Sequence, residues 1–333
     1  MRSFGIAILG LPTLRTVELS KAAEEAGFDN VWIADESPSP PFRDATVSIT
    51  AVLLNTKRIV LGSSIFVPYT RHPALLSVFM STLNELAEGR LILGLGPGGS
   101  LTMRPLGLEM WDRPVTAMRE AIIIAKRLFS GENVSFEGEI FKVMDTYLPA
   151  PPKTKVPIYL AARGPKLLEL AGELADGCLL SVPGEYVGTA KESVEAGAKK
   201  AGRRIEDIQI VNISTLNPDP DKKRAIEAIR SRTAHMILDS PTIVHEKTGM
   251  DLARVEAARE AMRKEGRAKA LSLITDDMVE KMVIIGSPRQ CAEKIEEQFK
   301  AGLNQTVLNI PGNIVNEELI GSMGRVVIRV LRD

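Results

Sequence analysis

The sequence has 333 residues, of which 44% are hydrophobic and 25% are charged, and its 42 Lys and Arg balance its 42 Asp and Glu. A chain of this size and composition can bury a large apolar core, as soluble globular proteins do. Because neither sign of charge forms a long run, the sequence disfavours a nucleic-acid-binding protein, which usually carries a basic stripe.

The sequence carries no sign of a membrane span or an export signal. No apolar run approaches the ~20 residues that cross a bilayer, and the first residues lack the long apolar stretch of a signal peptide. The two cysteines, Cys178 and Cys291, are too few for a disulfide framework and predict buried thiols in a reducing compartment. We therefore expect a cytoplasmic protein with no membrane partner.

Short apolar runs alternate with segments of helical periodicity from the first residues onward. Residues 4–9 are too few for a helix, and residues 13–26 then place apolar side chains at helical spacing until Gly27. Extending this pattern predicts eight strands, over residues 4–9, 31–34, 58–62, 91–95, 158–160, 178–180, 208–212 and 306–310. Helices are predicted over residues 13–26, 44–55, 74–87, 114–129, 165–174 and 186–201.

Two segments interrupt the alternation of strands and helices. Residues 134–136 and 140–143 flank Gly138 and predict a small hairpin. The stretch from about residue 219 to residue 301 is charged and helix-rich, and it is much longer than one crossover requires. We predict that this stretch is a helical insertion between the seventh and eighth strands.

The strands read as continuous apolar runs, which indicates a parallel sheet covered by helices on both faces. A doubly wound sheet would carry a glycine-rich phosphate loop directly after its first strand. Here that turn is Leu9-Gly10-Leu11-Pro12, in which Pro12 lacks a donor N–H. Eight strands without a linker favour closure, so the predicted fold class is α/β, a (β/α)8 TIM barrel forming a single domain over residues 1–333.

In such a barrel, functional residues lie where the strands end and the βα loops begin. Asp35 and Glu36 follow the second strand and are the candidate catalytic residues, although Asp35 fits a solvated loop acid equally well. Asp44 is expected to be a helix N-cap. His72 precedes Pro73 at the start of a helix, where a structural role is favoured over a catalytic one.

Two later loops are suited to a flat, anionic ligand. Residues 94–100 are dense in glycine, which permits close approach of a ligand to the backbone, but their position is not that of a dinucleotide fingerprint. Residues 161–165 (Ala-Ala-Arg-Gly-Pro) open a helix, whose free N–H groups and dipole attract anions, and Arg163 adds charge. A plain strand-to-helix turn explains this second loop equally well.

Other chemistries find little support in the sequence. The three histidines, His72, His235 and His245, and the two cysteines fall at no metal-ligand spacing, so we expect no bound metal. The sequence contains no GxSxG elbow, HExxH helix or Walker loop.

Six phrases in order along the chain together resemble the bacterial-luciferase-like superfamily of flavin- and deazaflavin-dependent enzymes. They are GFDNVWIADE (27–36), NTKRIVLGSSIFVPYTRHPALL (55–76), LNELAEGRLILGLGPG (83–98), LGLEMWDRPVTAMREAI (106–122), PIYLAARGPKLLELAGELADG (157–177) and VIIGSPRQCAEKIEEQFKAGL (283–303). Within the superfamily, GPGGS (96–100) and LGLEMWDRPV (106–115) are most similar to methylenetetrahydromethanopterin reductases and related oxidoreductases that use coenzyme F420.

This resemblance implies hydride transfer between a deazaflavin and a small organic substrate. It implies that the deazaflavin ring lies over the end of the third strand, where the family often has a non-proline cis peptide bond, here Ser64–Ile65. Asp35 and Thr102 would border the ring, and Arg163-Gly164-Pro165 with Ser181 would hold the phosphate tail. The implied cofactor-binding residues are Asp35, Ser63, Ser64, Ile65, Gly98, Thr102, Ala161, Ala162, Arg163, Gly164, Pro165 and Ser181.

The chain departs from the family pattern at three places. Related enzymes often carry carboxylates at the end of the first strand and just after the fourth, where this chain has Ala7 and Gly99. Several relatives have histidine where this chain has Glu36. The identity of a general acid or base is therefore not carried over.

Two other functions stay open at this point. One is an FMN-dependent luciferase-like monooxygenase, and the other is a non-catalytic flavoprotein-like binding protein, with which the missing carboxylates agree. For the enzyme we expect a small-molecule substrate and assembly into a homodimer or higher homo-oligomer.

Overall fold

Parallel strands close into a barrel in the computed structural model, which describes residues 2–35, 43–103 (backbone alone for 101 and 102), 106–108 and 113–332. In chain order the strands are β1 (Ser3–Ala7), β2 (Asn30–Ile33), β3 (Val60–Ser63), β4 (Leu91–Leu95), β5 (Val134–Glu137), β6 (Lys142–Thr146), β7 (Ile158–Ala161), β8 (Gly177–Leu180), β9 (Gln209–Asn217), β10 (Ile284–Ile285) and β11 (Gln305–Asn309). The order of pairing is β1-β2-β3-β4-β7-β8-β9-β11, and β11 closes on β1. The predicted eight-stranded TIM barrel is confirmed.

The helices cover the outside of the barrel and follow the predicted segments closely. They are α1 (Thr13–Glu25), α2 (Ala45–Asn55), α3 (Pro73–Ala87), α4 (Ser100–Met103), α5 (Pro114–Phe129), α6 (Pro165–Leu174), α7 (Gly184–Lys200), α8 (Lys222–Asp239), α9 (Thr242–Lys247), α10 (Leu252–Lys264), α11 (Arg267–Ser272), α12 (Asp276–Glu280), α13 (Pro288–Lys300), α14 (Glu317–Met323) and α15 (Arg329–Leu331). Asp44 caps α2 by accepting the Thr46 N–H at 2.9 Å, as predicted. His72 caps α3 through its ring nitrogen.

Large side chains fill the inside of the barrel. The Trp32 indole is fully buried there, and a Cβ on Gly62 would lie 2.3 Å from its ring, so β3 needs a glycine at that position. The interior cluster consists of Ala7, Trp32, Ile92, Tyr159, Leu179, Val211 and Val307. The barrel is therefore a packed core whose ligand space lies beyond the strand ends.

Helices α8 to α12 form the predicted helical insertion between the last two barrel strands. They pack around an apolar cluster of their own, which includes Ile226, Ile229, Val255, Met278 and Val279. Strand β9 runs to Asn217, five residues past the predicted end at 212, because Ile213–Thr215 pair with β11 and the last two residues pair with β10. The hairpin of β5 and β6 is also present where it was predicted.

Candidate active site

A cavity of about 380 Å³ lies at the carboxyl ends of the barrel strands. Its inner surface is mostly apolar and is lined by Leu9, Ile65, Ala161, Leu179 and Ile213, which lie in five different strands or directly after them. Barrel enzymes keep their active sites at this face. The cavity is therefore the candidate active site.

The junction of β3 and β4 shapes one side of the cavity. The Ser64–Ile65 peptide bond is cis, as predicted. Beneath it, the Ser63 hydroxyl donates a hydrogen bond to the Gly94 carbonyl (3.0 Å) and accepts one from the Gly94 N–H (2.9 Å). A Cβ on Gly94 would lie 1.9 Å from the Ser63 carbonyl oxygen, and a Cβ on Gly96 would lie 2.8 Å from the Ile65 side chain. The two glycines let these segments approach closely enough to present Ser64 and Ile65 to the cavity.

The Asp35 carboxylate lines the cavity and is held by an arginine. Asp35 is 5% exposed, and its oxygen lies 2.7 Å from Nε of Arg71, which also contacts Asp44 at 2.8 Å. Burial acts to lower the pKa of Arg71, but its hydrogen bonds to the two carboxylates raise that pKa overall. Burial acts to raise the pKa of Asp44, but hydrogen bonds from Arg71 and Thr46 lower it overall. Asp35 is thus a positioned hydrogen-bond acceptor at the cavity wall.

A polar corner lies where β7 meets α6. Ala161, Ala162, Arg163 and Gly164 all line the cavity there, and Ser181 lines it just beyond β8. Helix α6 begins beside this corner, so its first N–H groups and dipole favour a negative group. The Arg163 carbonyl accepts the Tyr186 hydroxyl (3.0 Å), which fixes the loop. This corner can bind an anion such as a phosphate.

Helix α8 of the insertion supplies the facing wall. Arg232, His235, Met236 and Asp239 line the cavity, and their spacing of three, four and seven residues puts them on one helix face. Arg163 Nη1 lies 3.4 Å from the Ser240 hydroxyl, directly after α8. The insertion therefore completes the cavity and brings ionisable side chains to a site whose barrel side is largely apolar.

The structure brings most of the predicted cofactor-binding residues together. Ser63 lies underneath the cavity, 1% exposed, and Pro165 points outward at the start of α6, so neither lines it. Glu36 lies outside the described residues, and so does the side chain of Thr102. The predicted residues that line the cavity are Asp35, Ser64, Ile65, Gly98, Ala161, Ala162, Arg163, Gly164 and Ser181.

Sequence reasoning missed the cavity residues of α8, and also Asn309 at the end of β11. The rule of inspecting strand ends could have found Asn309. The α8 face carries a sequence signal in the spacing of Arg232, His235 and Asp239, but this spacing is shared by every amphipathic helix. Only the structure shows that this face of α8 points toward the mouth of the barrel.

Within the described part of the chain, no group of three His, Cys, Asp or Glu side chains is placed to hold a metal ion. In the same residues, no helix is long and apolar enough to cross a membrane.

The chain is similar over its length to proteins of one family. A family model described as luciferase-like monooxygenase matches residues 10–305. A 5,10-methylenetetrahydromethanopterin reductase of Methanolobus tindarius is 34% identical over 98% of this chain and 99% of its own. An F420-dependent glucose-6-phosphate dehydrogenase of Nakamurella multipartita is 31% identical over 89% of this chain and 86% of its own. The structure of the coenzyme F420-dependent tetrahydromethanopterin reductase of Methanopyrus kandleri superposes with a TM-score of 0.85, at 31% identity over 99% of both chains.

Proposed function

This chain belongs to the luciferase-like monooxygenase family, and from that premise we propose that it is a coenzyme F420-dependent oxidoreductase. It would transfer hydride between the deazaflavin and a small organic substrate, with methylenetetrahydromethanopterin as the first candidate. The observation that carries the proposal is the full-length similarity to the reductase of Methanolobus tindarius, with 34% identity. The fold agreement with the F420-dependent reductase of Methanopyrus kandleri supports it.

The cavity fits a flat ring with a phosphorylated tail. Ile65 and Ala161 offer an apolar surface, and Gly96 between them leaves room because a Cβ there would touch both side chains. Arg163 and Gly164 offer the anion corner at the start of α6. When bound, F420 supplies a ring that carries hydride. The protein's own part is to bind and orient that ring and to exclude water from the face where the substrate lies.

We assign roles to the lining residues on this basis. Asp35, fixed by Arg71, would accept a hydrogen bond from the ring edge. Ser64 and Ile65 would support the ring, and Arg163 would pair with the tail phosphate.

We also propose that the enzyme is a homodimer formed through α2 and α3. These neighbouring helices expose Val47, Leu54, Leu75, Val78 and Leu86, each at least 45% accessible. The spacing within each helix puts these side chains on one face, and exposed apolar faces on two neighbouring helices favour an interface. A cytoplasmic location stays a prediction.

Val47→Glu combined with Leu75→Glu should therefore convert the dimer to a monomer, because two charges would be buried in the interface. Light scattering coupled to gel filtration measures the mass. The matched control is Leu252→Glu, since Leu252 is 40% exposed on α10 of the insertion, which contacts α8, α9 and α11. A parent protein that is already monomeric would contradict the dimer.

The experiment that tests the function is a titration of the purified protein with F420 and with FMN, followed by mixing with reduced F420 and methylenetetrahydromethanopterin. We expect tighter binding of F420 than of FMN, and substrate-dependent oxidation of reduced F420 followed by its absorbance. Preference for FMN would favour the monooxygenase, and binding of neither cofactor would favour a non-catalytic protein.

A further inference from the structure

We propose that Asp239 at the end of α8 contacts the substrate and accepts a hydrogen bond from one of its N–H or O–H groups. The inference rests on the proposed function, because it assigns the space between α8 and the cofactor to the substrate. It gives the insertion a role in recognition that the barrel does not provide.

The first step is the charge of the cavity wall. Among the described residues that line the cavity, Asp35 and Asp239 are the carboxylates. Asp35 is nearly buried and paired with Arg71, whereas Asp239 is exposed to the cavity mouth. Asp239 is therefore the carboxylate placed to meet a molecule that enters from solvent.

The second step is how Asp239 is held. Its Oδ2 accepts hydrogen bonds from the Ser100 N–H (3.1 Å) and from the Ser100 hydroxyl (2.9 Å). Both bonds go to the same oxygen, so they fix the carboxylate and direct its other oxygen elsewhere. An acid in the last turn of a helix opposes the helix dipole. Helix stability therefore does not explain an aspartate at the end of α8.

The third step is the absence of a side chain opposite the carboxylate. A Cβ on Gly99 would lie 3.1 Å from Oδ2 of Asp239, closer than ordinary van der Waals contact. A larger residue at position 99 would displace the carboxylate. The loop after β4 therefore packs closely against the end of α8 at the mouth of the cavity. Asp239 lies there on the same face of α8 as Arg232 and His235.

The test compares Asp239→Asn with the parent, using methylenetetrahydromethanopterin with reduced F420 and glucose 6-phosphate with oxidised F420. For the substrate that the parent converts, we expect Asp239→Asn to raise KM by about tenfold or more, the cost of one charge-assisted hydrogen bond. The Kd for F420 should stay at the parent value. The matched control is Glu227→Gln, the same chemical change at a position of α8 where the side chain is 77% exposed. Unchanged KM and kcat in Asp239→Asn would overturn the proposal.

Three further variants separate recognition from a merely structural contact. If Asp239 only ties α8 to the β4 loop, Ser100→Ala, which removes the hydroxyl bond and keeps the N–H bond, should raise KM and lower the melting temperature in the same proportion as Asp239→Asn, which would overturn the proposal. If the carboxylate itself is needed at this place, Gly99→Asp combined with Asp239→Ala should recover part of the lost kcat/KM. Gly99→Asn with Asp239→Ala should not.

A crystal structure of the F420-bound protein tests the role of Asp239 without an activity measurement. We expect the ring on the Ile65 and Ala161 surface, with open space between the ring and Asp239. A cofactor that itself fills the space beside Asp239 would overturn the proposal. A parent that binds F420 but converts neither substrate would contradict the proposed reaction alone, and the bound structure would still decide the role of Asp239.

Discussion

The barrel and the insertion build opposite walls of one cavity by different means. The barrel wall presents backbone and small or apolar side chains, such as Ile65, Ala161 and Gly164, at the ends of hydrogen-bonded strands. The α8 wall presents Arg232, His235 and Asp239 from a helix that rests on the separate apolar cluster of the insertion.

The difference indicates that the two walls of the cavity serve separate functions. Residues of the barrel wall are fixed by close backbone contacts, as at Ser63 and Gly94, so a change there disturbs the strands themselves. Residues on α8 can change without altering a strand pairing. We therefore expect substitutions in the barrel wall to affect folding and cofactor binding, and substitutions on α8 to affect the choice of substrate.

The largest effect is expected for Gly94→Ala in β4. The added Cβ would meet the Ser63 carbonyl at 1.9 Å, and backbone atoms cannot move aside as a flexible side chain can. We expect a loss of more than about 3 kcal/mol in the free energy of unfolding, at or above the upper end for overpacked cores. Urea denaturation followed by circular dichroism measures this change.

The matched control is Gly188→Ala within α7, where a Cβ would have nothing within 4 Å. This variant should gain about 0.5–1 kcal/mol, since alanine is the better helix former. Similar midpoints for the two variants would remove the argument that the barrel wall is fixed by its backbone.

A smaller effect is expected for Arg163→Ala at the anion corner. Loss of one charge-assisted contact to the tail phosphate should weaken F420 binding by about tenfold to a hundredfold, or roughly 1.5–3 kcal/mol. The apo melting temperature should fall far less than in Gly94→Ala, because Arg163 lies outside the core and its 3.4 Å hydrogen bond to Ser240 is long. Fluorescence titration gives the affinity, and Arg289→Ala, at a side chain 88% exposed on α13, is the control. Equal loss of stability without cofactor would assign Arg163 a structural role instead.

How much of this could be predicted from sequence differs between the two walls. The strand ends of the barrel wall can be predicted from the local sequence. A short apolar run that stops at Asp35 or at residues 161–165 already indicates the mouth of a barrel. The cis bond at Ser64–Ile65 was also predicted, but by family resemblance and not from the residues themselves.

The α8 wall could not be predicted in the same way. In the sequence, Arg232 and Asp239 have the spacing of solvent-facing charges on an ordinary amphipathic helix. No residue near them in the sequence indicates that the helix lies across the cavity. Their place depends on long-range contacts between Asp239 and the β4 loop, and between Ser240 and Arg163. The extension of β9 to Asn217 escaped prediction for a similar reason, since its last residues are ordered by pairing with β10.

The smallest effect concerns stability at acid pH, for which we compare one histidine from each region. In the barrel, His72 caps α3 by accepting the Ala74 N–H on Nδ1 at 3.2 Å. Burial lowers the pKa of His72, and a hydrogen bond with the Lys142 backbone opposes this only in part. In the insertion, burial lowers the pKa of His245, the bond to the Ile237 carbonyl opposes it, and Arg259 lowers the pKa further.

Both histidines therefore prefer to be neutral in the folded protein. Because the folded pKa lies below the unfolded value of ~6.5, their stabilisation is complete above that pH and is lost as the pH falls through the folded pKa. Protonation of His72 also removes the acceptor that caps α3. His72→Asn keeps a capping oxygen that does not titrate, so between pH ~7.5 and ~5.5 the parent should lose roughly 1 kcal/mol more than this variant. Thermal melts at the two pH values measure the difference. Parallel losses in both proteins would exclude His72 as the source of the acid sensitivity.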